Sequence, residues 1–109
     1  MSYRDLDPKA AHDELLADAT LRILDVRTEP EYRAYRLANS KLLPVQELEH
    51  RLEELDRGTH WLVHCEHGMR SLHACELLAR AGFTKITNLR GGLAHWAAKG
   101  LPVEKGAKH

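Results

Sequence analysis

The 109-residue chain holds only two cysteines and one phenylalanine, and aromatic residues make up 6% of it. Two cysteines exclude the dense disulfide framework that staples many small secreted domains. An excess of one charge sign is also missing. Sixteen basic and sixteen acidic residues cancel to a formal net charge of zero, which removes the usual electrostatic argument for nucleic acid or an anionic membrane surface. No apolar run approaches the roughly 20 residues needed to cross a bilayer. The start, Met1-Ser2-Tyr3-Arg4-Asp5, lacks the apolar segment of a secretory signal, so a cytoplasmic location is expected. Repeats, low-complexity stretches and a domain-splitting linker are absent too. The expectation is one domain over residues 1–109, with its core at about 3–103 and a short polar tail.

What is present is a regular alternation. Short apolar strand patterns are followed by helical ones, the signature of an α/β domain built around a parallel sheet. Asp7-Pro8 reads as a helix start, with a capping side chain and proline at the first helical position. That helix is expected to reach about Asp18 and to bury Ala11, Leu15 and Leu16. Leu21 to Arg27 reads as a strand, Glu29-Pro30-Glu31-Tyr32 as the opening of a short helix, and Leu42-Leu43-Pro44 as a brief extended segment. Val45, Leu48, Leu52 and Leu55 recur at helical spacing, so one amphipathic helix is expected over Val45 to Leu55. Trp61-Leu62-Val63-His64 is a second strong strand, Ser71 to Ala81 a helix stopped by Gly82, and Lys85 to Leu89 another strand. Gly91-Gly92 turns into a helix around Leu93 to Ala98, the residues after Val103 should fray, and Tyr3 can lead an edge strand.

The chemistry concentrates at Cys65-Glu66-His67-Gly68-Met69-Arg70, which runs from the strand directly into the helix. A sulfur held there faces the open amides and positive dipole end of the helix, which favours a thiolate. Gly68 permits the tight turn, and Arg70 adds a fixed positive charge. In an open sheet, ligands collect beyond the carboxyl ends of the strands, where Asp25 to Arg27, Cys65 and Leu89 to Gly92 should converge. Cys75 falls more than one turn along the following helix, on a face with Leu72, Leu78 and Ala79. That placement reads as a packed thiol, the other possibility being a resolving partner for Cys65.

These segments resemble the single-domain rhodanese family of sulfurtransferases. Leu24-Asp25-Val26-Arg27 with Pro30-Glu31-Tyr32 is similar to its first signature. Val63 to Ser71 is similar to its active-site loop, and Asn88-Leu89-Arg90-Gly91-Gly92 with Trp96 and Gly100-Leu101-Pro102-Val103 to its closing one. The resemblance implies a five-stranded parallel sheet flanked by helices on both faces. It also implies that Cys65 takes a sulfane sulfur, forms a persulfide and passes the sulfur to a nucleophilic acceptor. Cys65 and Arg70 would be catalytic; Glu66, His67, Gly68, Met69 and Ser71 would form the persulfide-binding loop, and Asp25 and Arg27 would brace it. No cofactor is called for. The donor would be a small sulfane-sulfur compound or a protein persulfide. The acceptor would be cyanide or a thiol such as glutathione or a thioredoxin-like dithiol. Neither a nucleic-acid nor a membrane partner is expected, and the oligomeric state stays open.

Two departures matter. Family members often carry Gly-His-Ile-Pro-Gly-Ala where this chain has Tyr35-Arg36-Leu37-Ala38-Asn39-Ser40, so access to Cys65 is expected to be shaped differently. Glu66 stands where thiosulfate-using members often have a basic residue, and its charge should repel a dianionic donor. The alternatives are a non-catalytic partner-binding module and a phosphatase or arsenate reductase of the related fold. The latter uses a loop one residue longer between cysteine and arginine than the four residues here. Histidines 64, 67 and 73 lie near Cys65 without the paired spacing of a structural zinc site, so no metal is expected. His67 can tune the thiolate or simply be solvated. Trp96 packs in the core or lines the pocket.

Overall fold

A computed structural model of the chain describes residues 3–106. Its main sheet has five parallel strands: β1 (Arg4–Leu6), β2 (Arg22–Asp25), β4 (Ser40–Leu42), β5 (Trp61–His64) and β6 (Ile86–Leu89), in the order β1-β6-β5-β2-β4. The central strands β2, β5 and β6 are buried nearly throughout, as strands of a sheet covered on both faces are. Helices α1 (Pro8–Ala17) and α5 (Gly92–Ala98) cover one face. Their Ala11, Leu93 and Trp96 pack with Ile23, Leu62 and Leu89. On the other face α3 (Val45–Leu48) and α4 (Met69–Arg80) bring Leu48, Ala74, Cys75 and Leu78 against Leu24, Val26, Val63 and Ile86. Helix α2 (Glu29–Ala34) follows β2 at the carboxyl edge. The five-stranded parallel sheet with its flanking helices is the expected architecture.

Local chemistry explains most element ends. Asp7 caps α1, its carboxylate accepting from the Ala10 amide at 2.9 Å, with Pro8 in the first turn. Thr28 and Glu31 form a reciprocal capping box around α2. Edge strand β1 pairs with β6, in register from Arg4 with Thr87 to Leu6 with Leu89.

Three expectations change. The helix over Val45 to Leu55 is broken: only Val45–Leu48 is α-helical, and a single 3-10 turn follows at Leu52–Glu54. Arg51 leaves helical geometry at φ −130° and ψ 24°, which lets Leu48 and Leu55 both turn into the core. Tertiary burial overrides local periodicity there. Leu16 is 75% exposed, because α1 stops within a residue of it and only Ala11 of its face is fully buried. The tail does not fray at once either. Strand β7 (Glu104–Lys105) pairs antiparallel with β3 (Tyr35–Arg36), and the Arg36 guanidinium donates to the Gly106 carbonyl at 2.7 Å. Residues 107–109 lie outside the described region.

Candidate active site

Strand β5 ends at His64, and Cys65 begins the turn at the carboxyl edge of the sheet. The chain passes through Gly68 at φ 97°, a left-handed conformation that a side chain resists, and enters α4 at Met69. The helix therefore starts earlier than the spacing predicts, and Arg70 sits in its first turn. Two amides converge on Cys65 Sγ: that of Gly68 at 3.1 Å and that of Ser71 at 3.3 Å. The Ser71 hydroxyl lies 3.4 Å from Sγ and donates to the Gly68 carbonyl at 3.3 Å. Cys65 itself is 1% exposed, whereas His67 and Met69 flank it in the open. Donors around a shielded sulfur stabilise a negative charge on it without solvent reorganisation.

The outer wall of the loop is the amino end of α5. The amides of Leu93 and Ala94 donate to the carbonyls of Cys65 and Glu66, both at 2.9 Å. This seam demands glycine. A Cβ on Gly92 would stand 2.4 Å from the Glu66 carbonyl oxygen and 2.7 Å from that of Cys65. The three strand ends named from the sequence are thus brought together, with the Gly91-Gly92 turn in direct contact with the loop.

Beneath the loop lies a buried charge cluster. Arg27, fully buried, donates to both carboxylate oxygens of Asp25 at 2.8–3.1 Å, to Glu66 Oε1 at 3.0 Å and to the Tyr35 carbonyl at 2.7 Å. Burial works against its charge, but the Asp25 and Glu66 carboxylates overcome that and hold the guanidinium more firmly protonated than usual. The Tyr35 hydroxyl donates to Glu66 Oε2. Burial first, and then Glu66, push that phenol up to about 12. Glu66 is therefore tied back on both oxygens.

Arg70 is not a free cation. Its guanidinium makes a two-pronged bond to Glu31 at 2.7 and 2.8 Å, which pulls that carboxyl down to about 2. Arg70 pins α2 to the first turn of α4 and still senses the Cys65 charge, which helps raise its own pKa. Glu31 and Tyr35 were not singled out as site residues from the sequence. The Thr28-x-x-Glu31 capping signature marks Glu31 as a fixed carboxylate, but nothing local foretells that Tyr35 reaches Glu66.

The remaining candidates fall elsewhere. Cys75 is buried in the α4 face of the core, and that burial drives its thiol up to about 12. Trp96 is 2% exposed and its indole donates to the Pro102 carbonyl at 2.9 Å. It lines an open groove of about 970 Å³ between α1, the amino ends of β2 and β4 and the C-terminal segment, to which no residue of the Cys65 loop contributes. His73 is exposed on α4, and among the described residues no cluster of His, Cys, Asp and Glu is arranged to hold a metal ion. No helix among them is long and apolar enough to cross a membrane.

A parallel five-stranded sheet with a cysteine-bearing loop cradled at its carboxyl edge defines a class. The chain belongs to the rhodanese-like domain family, which it matches over residues 8–99. It is 28% identical over 99 residues to a protein of Allochromatium vinosum named sulfurtransferase, covering 91% of this chain and 92% of that one. A thiosulfate sulfurtransferase, GlpE, of Coxiella burnetii is 32% identical over 98 residues, 90% of this chain and 91% of the relative. Among solved structures, a rhodanese-related protein from Thermoplasma volcanium superimposes with a TM-score of 0.86 at 31% identity, over 94% of this chain and 98% of that one.

Proposed function

We propose that the protein is a sulfurtransferase that carries sulfur on Cys65. The observation that supports this most is the pair of amides at 3.1 and 3.3 Å from Sγ. The Cys65 thiolate attacks the outer sulfur of a donor persulfide. A bond forms between Sγ and that sulfur, the donor's own S–S bond breaks, and the electron pair leaves on the donor thiolate. An acceptor thiolate then attacks the outer sulfur of the Cys65 persulfide, which returns Sγ as thiolate and gives the acceptor persulfide. Both steps are displacements with no net oxidation. The Gly68 and Ser71 amides hold the charge on Sγ, and the Ser71 hydroxyl can turn from the Gly68 carbonyl to donate to it as well. Arg70 works through position, fixing the helix that supplies these donors.

The substrate class follows from charge. Around the loop, Arg27 faces two carboxylates, Asp25 and Glu66, and Arg70 is matched by Glu31. The surroundings are net acidic, so a persulfide or polysulfide is the better donor and thiosulfate, a dianion, the poorer one. Incubating the purified protein with polysulfide or glutathione persulfide should add one sulfur to the intact mass, and Cys65→Ala should add none. Absence of the adduct with polysulfide, glutathione persulfide and thiosulfate alike would overturn the proposal.

A further inference from the structure

His64 is the last residue of β5 and lies opposite Asp25 in the β2–β5 pairing. It is fully buried, on the sequence side of Cys65 that the sulfur chemistry does not use. Its Nδ1 is 3.1 Å from the Cys65 carbonyl oxygen, which only accepts, so Nδ1 must carry a proton. Its Nε2 has no hydrogen-bond partner among the described residues, and Asp25 Oδ2 lies 3.5 Å away. The Cys65 carbonyl is also the acceptor for the first free amide of α5. One imidazole thus bridges the buried charge cluster and the backbone of the nucleophile.

We propose that His64 is a positioning residue for Cys65, holding the loop through the proton on its Nδ1. This inference rests on the sulfur-carrier reading only for its purpose, since each readout below is independent of any sulfur donor. The groups facing the ring are Asp25 on β2, Arg27 just beyond it, and Glu66 and the Cys65 backbone in the loop. Burial pushes the imidazolium below its usual 6.5, ahead of the opposing pull of Asp25.

Nitrogen-15 NMR of the wild-type histidines tests the tautomer directly. His64 should be neutral with the proton on Nδ1 above neutral pH; an Nε2–H tautomer overturns the proposal. Alkylation of Cys65 by iodoacetamide tests the consequence. His64→Asn keeps a donor where Nδ1 stood and should react within about twofold of wild type at neutral pH. His64→Gln moves the donor toward Asp25 and should react about fivefold more slowly, the worth of one net hydrogen bond. Equal alkylation rates in wild type and His64→Gln would overturn the proposal even if sulfur transfer is intact.

Discussion

Cys65 and Cys75 are ten positions apart, equally buried and both free thiols, yet their surroundings differ in kind. Cys65 begins the turn after a strand and meets two backbone amides and a hydroxyl. Cys75 sits beyond the first turn of α4, where the backbone amides are spent on the helix, in the buried cluster that holds Leu24, Val63 and Leu78. Burial without donors raises a thiol; burial with donors aimed at the sulfur makes an anion site. The difference lies in where the helix begins. Unpaired amides exist only in its first turn, and the left-handed Gly68 places that turn against Cys65.

Changes around the two sulfurs should separate these environments. The largest effect is expected under the cradle. Arg27→Met leaves Asp25 buried without its cation and Glu66 held by Tyr35 alone, and should lower unfolding stability by about 3–5 kcal/mol in urea; a loss below about 1 kcal/mol would mean that the cluster does not brace the loop. Next comes the seam with α5. Gly92→Ala forces a methyl to within 2.4 Å of a loop carbonyl from a backbone at φ 70°. It should cost about 2–4 kcal/mol and slow alkylation of Cys65 without speeding that of Cys75. On the other side of the comparison, Cys75→Ser buries a hydroxyl among apolar neighbours and should cost about 1–3 kcal/mol, while sulfur uptake at Cys65 continues. Uptake lost in Cys75→Ser would make Cys75 a participant rather than packing.

The smallest effect is electrostatic. The Glu31 carboxyl falls from 4.5 to about 2 on folding. Its contribution is complete above 4.5 and vanishes as the pH drops through about 2. Glu31→Gln should therefore flatten the stability profile across that interval by a modest amount, the pair being about a third exposed. An unchanged profile would show that Arg70 is not held by Glu31 in solution.

Much of this was legible in the residues. Apolar strand patterns marked β2, β5 and β6, and strand, glycine and helix in sequence placed Cys65 at a helix start. Asp7-Pro8 and Gly82 marked element ends for reasons of backbone chemistry alone. What escaped depends on three-dimensional register. Arg70 reads as a loose cation until α2 brings Glu31 to it. Tyr35 looks like an ordinary strand residue until its hydroxyl meets Glu66, thirty-one positions away. Val45 to Leu55 reads as one helix because its leucines keep helical spacing, although a break at Arg51 buries them as well. The sequence shows acidic Glu66 but not its capture by Arg27 and Tyr35, and that capture ties the carboxylate back from the cysteine sulfur.

The most direct test of the contrast is competitive alkylation of the native protein, reading each cysteine by peptide mass. With its thiol near 12 rather than 9.0, Cys75 holds roughly a thousandfold less thiolate than an ordinary thiol at the same pH. Cys65 should therefore be labelled at least about a hundredfold faster at neutral pH. Equal rates, or faster labelling of Cys75, would contradict the conclusion that the amide donors, and not burial, set the chemistry of these two sulfurs.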